Sequence, residues 1–89
     1  MKITMDISMY PLDVDYKPAI KAFIRRLRTF DGLTLVTNQL STQINGSFAA
    51  VTEAVNSCIH QSMQEQNKVV FVARYLNADL DIARLPDID

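Results

Sequence analysis

Two short segments alternate polar and apolar side chains, and their polar groups are the ones best suited to ligand chemistry. The first is Met5-Asp6-Ile7-Ser8-Met9-Tyr10-Pro11-Leu12, and the second is Ser41-Thr42-Gln43-Ile44-Asn45-Gly46. Together they offer a carboxylate, hydroxyls, amides and an aromatic ring, which can hydrogen-bond to and stack on a small heteroaromatic or cationic ligand. The candidate ligand-binding residues are Asp6, Ser8, Tyr10, Ser41, Thr42 and Gln43.

The first two elements follow from the hydrophobic pattern. Lys2 to Tyr10 alternates between apolar and polar residues, which predicts a half-buried strand. Asp15 is expected to cap the helix that follows, with Pro18 tolerated in its first turn. The helix is predicted to end near Asp31-Gly32. Its apolar stripe consists of Ile20, Phe23, Ile24 and Leu27.

A hairpin and a second helix are predicted in the middle of the chain. Leu33 to Asn38 and Leu40 to Asn45 have the composition of its strands, with a turn around Asn38-Gln39. Gly46-Ser47 is expected to break the second strand and to cap a helix. A last strand is predicted from Lys68 to Asn77. The apolar stripe of the second helix consists of Phe48, Val51, Val55, Cys58, Ile59 and Met63.

This order of elements, β-α-β-β-α-β, is typical of the ferredoxin-like α+β fold. In that fold a four-stranded antiparallel sheet has the strand order 4-1-3-2 and carries both helices on one face. A single domain is expected to span residues 1–78. Residues 79–89 are expected to form a loose acidic tail.

The last predicted strand is apolar on both sides, which indicates that both faces of the sheet are covered. The helices cover one face, so a second copy of the chain is expected on the other, and a small domain gains stability from such association. The polar groups of the first and third strands would lie together on this second face. They form either a ligand site or a polar oligomer interface in which Asp6 pairs with Arg74, and the sequence leaves both interpretations open.

Composition argues against several classes of function. A formal charge of -1 and a pI near 5.7 give no electrostatic attraction for nucleic acid. Cys58 has no disulfide partner, and with His60 alone it cannot build a metal site. No catalytic partner adjoins His60 and no loop combines phosphate-binding glycines with arginine, so neither an enzyme nor a cofactor is expected. Asp6 interrupts any signal-peptide core and no segment is apolar enough to span a membrane, so we expect a cytoplasmic protein.

The two polar segments resemble the YkoF-type thiamine- and hydroxymethylpyrimidine-binding family and its small single-domain relatives. Residues 6–12 match the family's first-strand signature of acidic residue, apolar residue, Ser, apolar residue and Tyr-Pro-Leu, and Thr42 stands four residues before Gly46. The chain departs from the family pattern at Asp13, where relatives usually carry Gly, and at Asn45, where a charged residue is common.

The resemblance implies a non-enzymatic cytoplasmic module that binds thiamine or its pyrimidine moiety and pairs sheet to sheet with a second domain. For such a ligand, Asp6 would bind the amine or the cation and Tyr10 would stack on a ring. Ser8, Thr42 and Gln43 would bind ring nitrogens. By alternation Thr42 points toward the helices and Gln43 away from them, so the site lies either under the helices or on the open face. The alternative function is a structural or protein-interaction oligomer without a small-molecule ligand.

Overall fold

A computed structural model describes residues 1–88 as four strands and two helices. In chain order they are β1 (Lys2–Pro11), α1 (Lys17–Leu27), β2 (Thr34–Thr37), β3 (Thr42–Ser47), α2 (Phe48–Glu65) and β4 (Val69–Leu76). All strand pairs are antiparallel, and the sheet order is β2-β3-β1-β4. This is the predicted order 4-1-3-2 read from the other edge. The ferredoxin-like α+β fold is therefore confirmed.

The alternation of β1 divides the sheet into two faces. The helix face of β1 consists of Ile3, Met5, Ile7 and Met9, which are all buried. Because β1 pairs with both β3 and β4, this row runs through the centre of the core. The opposite, open face carries the polar row of β1 beside the alternate residues of its neighbours, as predicted: Thr4, Asp6, Ser8, Tyr10, Ser41, Gln43, Asn45, Val70, Val72, Arg74 and Leu76.

The start of α1 differs from the prediction. Its N-cap residue is Tyr16, which makes no side-chain capping bond, so the assignment of Asp15 as cap was wrong. The Asp13 carboxylate instead accepts a hydrogen bond from the backbone N–H of Asp15 at 3.3 Å, which forms an Asx turn within the preceding loop. Pro18 lies in the first turn, as expected. The predicted apolar stripe packs on the sheet, with Phe23 and Leu27 fully buried.

The second helix begins as predicted. The Ser47 hydroxyl accepts a hydrogen bond from the backbone N–H of Ala50 at 3.1 Å and so caps α2. Two members of the predicted stripe, Phe48 and Met63, are half-exposed because they lie near the ends of the helix, beyond the part that α1 and the sheet cover. Cys58 is buried in the core, and burial raises the pKa of its thiol.

Gly46 does not break β3, contrary to the prediction, because the strand continues through Ser47. The loop after α1 passes directly over this position. A Cβ added at Gly46 would lie 2.9 Å from the carbonyl oxygen of Gly32, 3.1 Å from Leu33 Cδ2 and 3.3 Å from Val51 Cγ2. Glycine is therefore needed for close approach of the loop to the strand, and not for a turn.

Replacing Gly46 with alanine is expected to lower the free energy of unfolding by about 1–3 kcal/mol, because the backbone oxygen of Gly32 has to move. Urea denaturation followed by circular dichroism measures the loss. Gly32→Ala is the matched control: it meets no atom within 4 Å, but its φ of 78° is left-handed. That control should cost only about 1 kcal/mol of backbone strain. Equal stability of Gly46→Ala and the parent protein would contradict this account.

The first residues of the predicted tail bind the end of the open face. Thr4 Oγ1 donates to the carbonyl oxygen of Ala78 at 2.8 Å and accepts from the backbone N–H of Leu80 at 3.1 Å. Asn45 Nδ2 donates to Asp79 Oδ1 at 2.9 Å and to the carbonyl oxygen of Leu80 at 3.2 Å. Residues 78–80 are therefore attached to the open face, and Asp81 and Ile82 still lie beside Thr34 and Asn45. Asp89, at the end of the predicted tail, lies outside the described residues.

Neither helix among residues 1–88 combines the length and the apolar character needed to cross a bilayer.

Candidate functional site

The sheet opens at one end, where β1 continues past the start of β3. The β1–β3 pairing ends at Ile7 opposite Thr42, whereas β1 runs on to Pro11, paired with β4 alone. Residues 38–41 turn away from β1 at this point. A gap therefore separates the last residues of β1 from the β2–β3 hairpin. Helix α1 covers this gap on the helix face of the sheet.

The hairpin turn beside the gap is ordered by Asn38. Its Oδ1 atom accepts hydrogen bonds from the backbone N–H groups of Leu40 at 2.9 Å and Ser41 at 3.1 Å, as an Asx turn does. The backbone N–H of Asn38 donates to the carbonyl oxygen of Ser41 at 3.0 Å. Ser8 Oγ bridges the gap by donating to the carbonyl oxygen of Leu40 at 3.3 Å. Hydrogen bonds within residues 38–41 therefore order the turn, and the bond from Ser8 attaches it to β1.

This gap is the mouth of a pocket of about 530 Å³, a volume in the range of small-molecule sites. Its apolar wall is formed by α1 through Ile20, Phe23 and Ile24, and by the helix face of β1 through Ile7 and Met9. The hairpin and the end of β1 form its polar side. Tyr10 and Tyr16 form its aromatic rim. The remaining lining residues are Ser8, Pro11, Leu12, Thr37, Asn38, Gln39, Leu40, Ser41 and Thr42.

A pair of hydroxyl groups lies in the pocket wall. Thr37 and Thr42 are directly opposite each other in the β2–β3 ladder, and their Oγ1 atoms are 3.1 Å apart. One hydroxyl donates to the other, which leaves the pair with one further O–H donor and several acceptor lone pairs. The pair can therefore donate one hydrogen bond and accept another at neighbouring positions. Thr42 is itself buried, so the hydroxyl pair lies deep in the pocket wall and not at the mouth.

Asp6 belongs to a separate cluster on the open face. Its Oδ2 atom lies 2.5 Å from Arg74 Nη2 and 3.1 Å from Arg74 Nε, and Gln43 Nε2 donates to Oδ1 at 3.5 Å. Hydrogen bonds from Ser41 and then from Arg74 and Gln43 hold the pKa of Asp6 below its ordinary value, and partial burial opposes them. The ion pair expected in the interface interpretation is therefore present, and the carboxylate is already engaged within the chain.

The six candidate residues form two groups that meet at Ser41, whose hydroxyl accepts a hydrogen bond from Gln43 Nε2 at 2.9 Å and also hydrogen-bonds with Asp6. Ser8, Tyr10, Ser41 and Thr42 line the pocket at the gap, whereas Asp6 and Gln43 do not. The pocket does not lie on one face of the sheet. The sheet opens at this end, so residues of the open face, such as Ser8, and of the helix face, such as Thr42, both line the pocket. The role of each of the six in ligand binding stays a prediction.

Sequence analysis did not identify several residues of the pocket. Ile20, Phe23 and Ile24 were assigned to the core stripe of the first helix, and Tyr16 follows its predicted cap; their contact with the pocket depends on how α1 crosses the sheet. Thr37 could have been identified from the sequence. A hairpin whose turn occupies residues 38–41 pairs Thr37 with Thr42. No group of three or more potential metal ligands lies together in the part of the chain that the structure describes.

The open face also presents exposed apolar side chains next to the Asp6 cluster. Tyr10 and Val70 face each other across β1 and β4, and Val72 lies opposite Ser8. Val72 and Leu76 are likewise exposed in the single chain. This row was predicted from the doubly apolar last strand.

No protein-family model matches the chain, and no curated protein sequence matches it. Solved structures do resemble it. A protein from Streptococcus pneumoniae superposes with a TM-score of 0.83 at 21% identity, covering 93% of this chain and 94% of that one. A candidate thiamine biosynthesis/salvage protein from Thermotoga maritima gives 0.80 at 17%, covering 92% and 91%. A domain of unknown function from Bacillus cereus gives 0.73 at 14%, covering 92% and 84%.

The fold is shared with these proteins. At such low identity the likeness shows the architecture alone, and the binding chemistry has to be argued from the pocket of this chain.

Proposed function

We propose that this protein is a non-enzymatic binding module for thiamine or its hydroxymethylpyrimidine moiety. The pocket at the end of the sheet carries the proposal, because it combines an apolar wall, a tyrosine rim and the Thr37–Thr42 hydroxyl pair. The likeness to the Thermotoga maritima protein and the Tyr-Pro-Leu segment of residues 10–12 both support a thiamine-related ligand.

The hydroxyl pair suits the edge of an aminopyrimidine. Such a ring presents an amine donor beside a ring-nitrogen acceptor, and the pair offers an acceptor beside a donor. The flat ring would enter between the α1 wall and the hairpin, with Tyr10 or Tyr16 against its exposed surface. Asp6, the candidate partner for the amine, is held by Arg74 outside the pocket. We therefore place recognition on Thr42 and Thr37.

Replacing Thr42 with valine is expected to weaken hydroxymethylpyrimidine binding about three- to tenfold, the effect of losing one hydrogen bond. Titration calorimetry of the folded protein measures the dissociation constant. Valine keeps the shape of threonine, so a change reports the hydroxyl and not the packing. Thr42→Ser keeps the hydroxyl and should bind within about twofold of the parent protein.

Asp6→Asn is the control for the open face. It should weaken pyrimidine binding less than Thr42→Val does, because the carboxylate does not line the pocket and reaches it only through its hydrogen bond with Ser41. Loss of binding in Asp6→Asn with full binding in Thr42→Val would move the site to the open face. Absence of heat with either thiamine or hydroxymethylpyrimidine would reject the binding function and favour the structural or protein-interaction oligomer.

We further propose that the protein acts in the cytoplasm as a homo-oligomer assembled through the open face. The exposed row of Val70, Val72 and Leu76, together with Tyr10, is an apolar surface that water disfavours. Arg74 and Asp6 are already paired within it, so a partner would not meet an isolated charge. Ser8 and Tyr10 lie on the open face and also line the pocket, so the proposed interface borders the pocket and assembly has to be measured separately from ligand binding.

A further inference from the structure

The pocket is lined entirely by uncharged residues. Within residues 1–88, its walls contain no Asp, Glu, Lys, Arg or His side chain, and its polar groups are hydroxyls, amides and backbone. Charged residues make up 21% of the whole sequence, so the wall is poorer in charge than the chain as a whole. Asp6 is the one charged residue of the two polar segments, and it lies outside the wall, paired with Arg74 and hydrogen-bonded to the wall residue Ser41.

We infer that this pocket selects an uncharged, unphosphorylated aminopyrimidine over ligands that carry a formal charge, an inference that rests on the proposed function. A ligand loses hydration when it enters the pocket, and a charged group recovers that loss only from an opposite charge or several aligned donors. The Thr37–Thr42 pair supplies one spare donor, which satisfies a ring nitrogen. The other donors of the wall are uncharged hydroxyls and amides, so no positive charge there compensates a phosphate dianion. The free hydroxymethyl form of the pyrimidine is the ligand class that the lining fits.

The charged residues next to the lining balance one another. Asp13 and Asp15 are exposed in the loop between Leu12 and Tyr16, and Lys17 and Lys21 are exposed beside Tyr16 and Ile20 of α1. None of the four lines the pocket, so the selection rests on the uncharged wall itself.

Titration calorimetry with three probes tests the inference: hydroxymethylpyrimidine, its monophosphate ester and thiamine. Hydroxymethylpyrimidine is expected to bind most tightly, and its phosphate ester at least about tenfold more weakly. Thiamine is expected to bind several-fold more weakly than the free pyrimidine, since its thiazolium charge has no carboxylate partner in the wall. Equal or tighter binding of either charged probe overturns the selectivity while leaving the binding function standing. Absence of binding by all three rejects the binding function itself.

A pair of charge variants makes the test independent of absolute affinity. Gln39 is exposed and lies in the pocket wall, so Gln39→Lys adds a cation and Gln39→Glu an anion at one position. The ratio of phosphate-ester affinity to free-pyrimidine affinity should rise about threefold or more in Gln39→Lys and fall in Gln39→Glu at low salt. The same ratio in both variants would show that charge in the wall does not control selection, and would overturn the inference.

Discussion

Phe23→Ala is expected to lower the free energy of unfolding by about 3–5 kcal/mol, a large part of the stability of so small a domain. Phe23 is 2% exposed, and its ring centroid lies 5.1 Å from that of Phe71 on β4. Truncation leaves a cavity between α1 and the sheet and removes this tilted ring contact. Urea denaturation monitored by far-ultraviolet circular dichroism measures the loss.

Phe48→Ala is the matched control for this prediction. Phe48 is 50% exposed at the start of α2, so the same truncation should cost less than about 1 kcal/mol there. If Phe23→Ala does not fold, Phe23→Leu keeps most of the volume and should cost about 1–2 kcal/mol. Similar losses for Phe23→Ala and Phe48→Ala would show that the α1–sheet contact does not dominate the core.

Val72→Lys is expected to dissociate the proposed oligomer into single chains of 10.1 kDa. Val72 is 52% exposed in the single chain and lies on the open face opposite Ser8. An interface over this face would bury the new ammonium group without a partner, which costs several kcal/mol per copy. Size-exclusion chromatography with light scattering measures the mass directly.

Val14→Lys introduces the same charge away from the sheet. Val14 is 97% exposed in the loop before α1, so this variant should keep the parent mass. Circular dichroism of both variants verifies that the domain is folded. A parent protein that is monomeric at high concentration would reject the assembly, and an oligomeric Val72→Lys would place the interface elsewhere.

The fold could be predicted because its signals are local. The alternation of β1 and the helical spacing in α1 each indicate an element and the face that it buries. Gly46 and Asp15 were misjudged for a different reason. Gly46 serves a contact with Gly32, fourteen residues away along the chain and visible only after the loop has folded over β3. Asp15 is a good cap by type, but the Asx turn at Asp13 places Tyr16 at the cap position.

The candidate site could be predicted only in part. Alternation assigns Thr42 and Gln43 to opposite faces, which is correct, but it assumes a sheet that is continuous to its end. The pocket exists because β3 pairs with β1 only as far as Ile7. That limit depends on the hairpin turn and on the position of α1, neither of which a residue pattern specifies. The Asp6–Arg74 ion pair of the interface interpretation could be predicted, because it follows from the β1–β4 register, and it is present.

The central position of β1 also determines when the protein can fold during its synthesis. β1 is translated before its two neighbours, and β4 is translated after every other strand. Bonds from Thr4 to Ala78 and Leu80 join positions 74 and 76 residues apart. The sheet around β1 therefore cannot be completed until β4 has left the ribosome. Pairing between strands so far apart in sequence is also slow to form. Until then the nascent chain exposes apolar surface that the finished domain buries, and such surface favours aggregation.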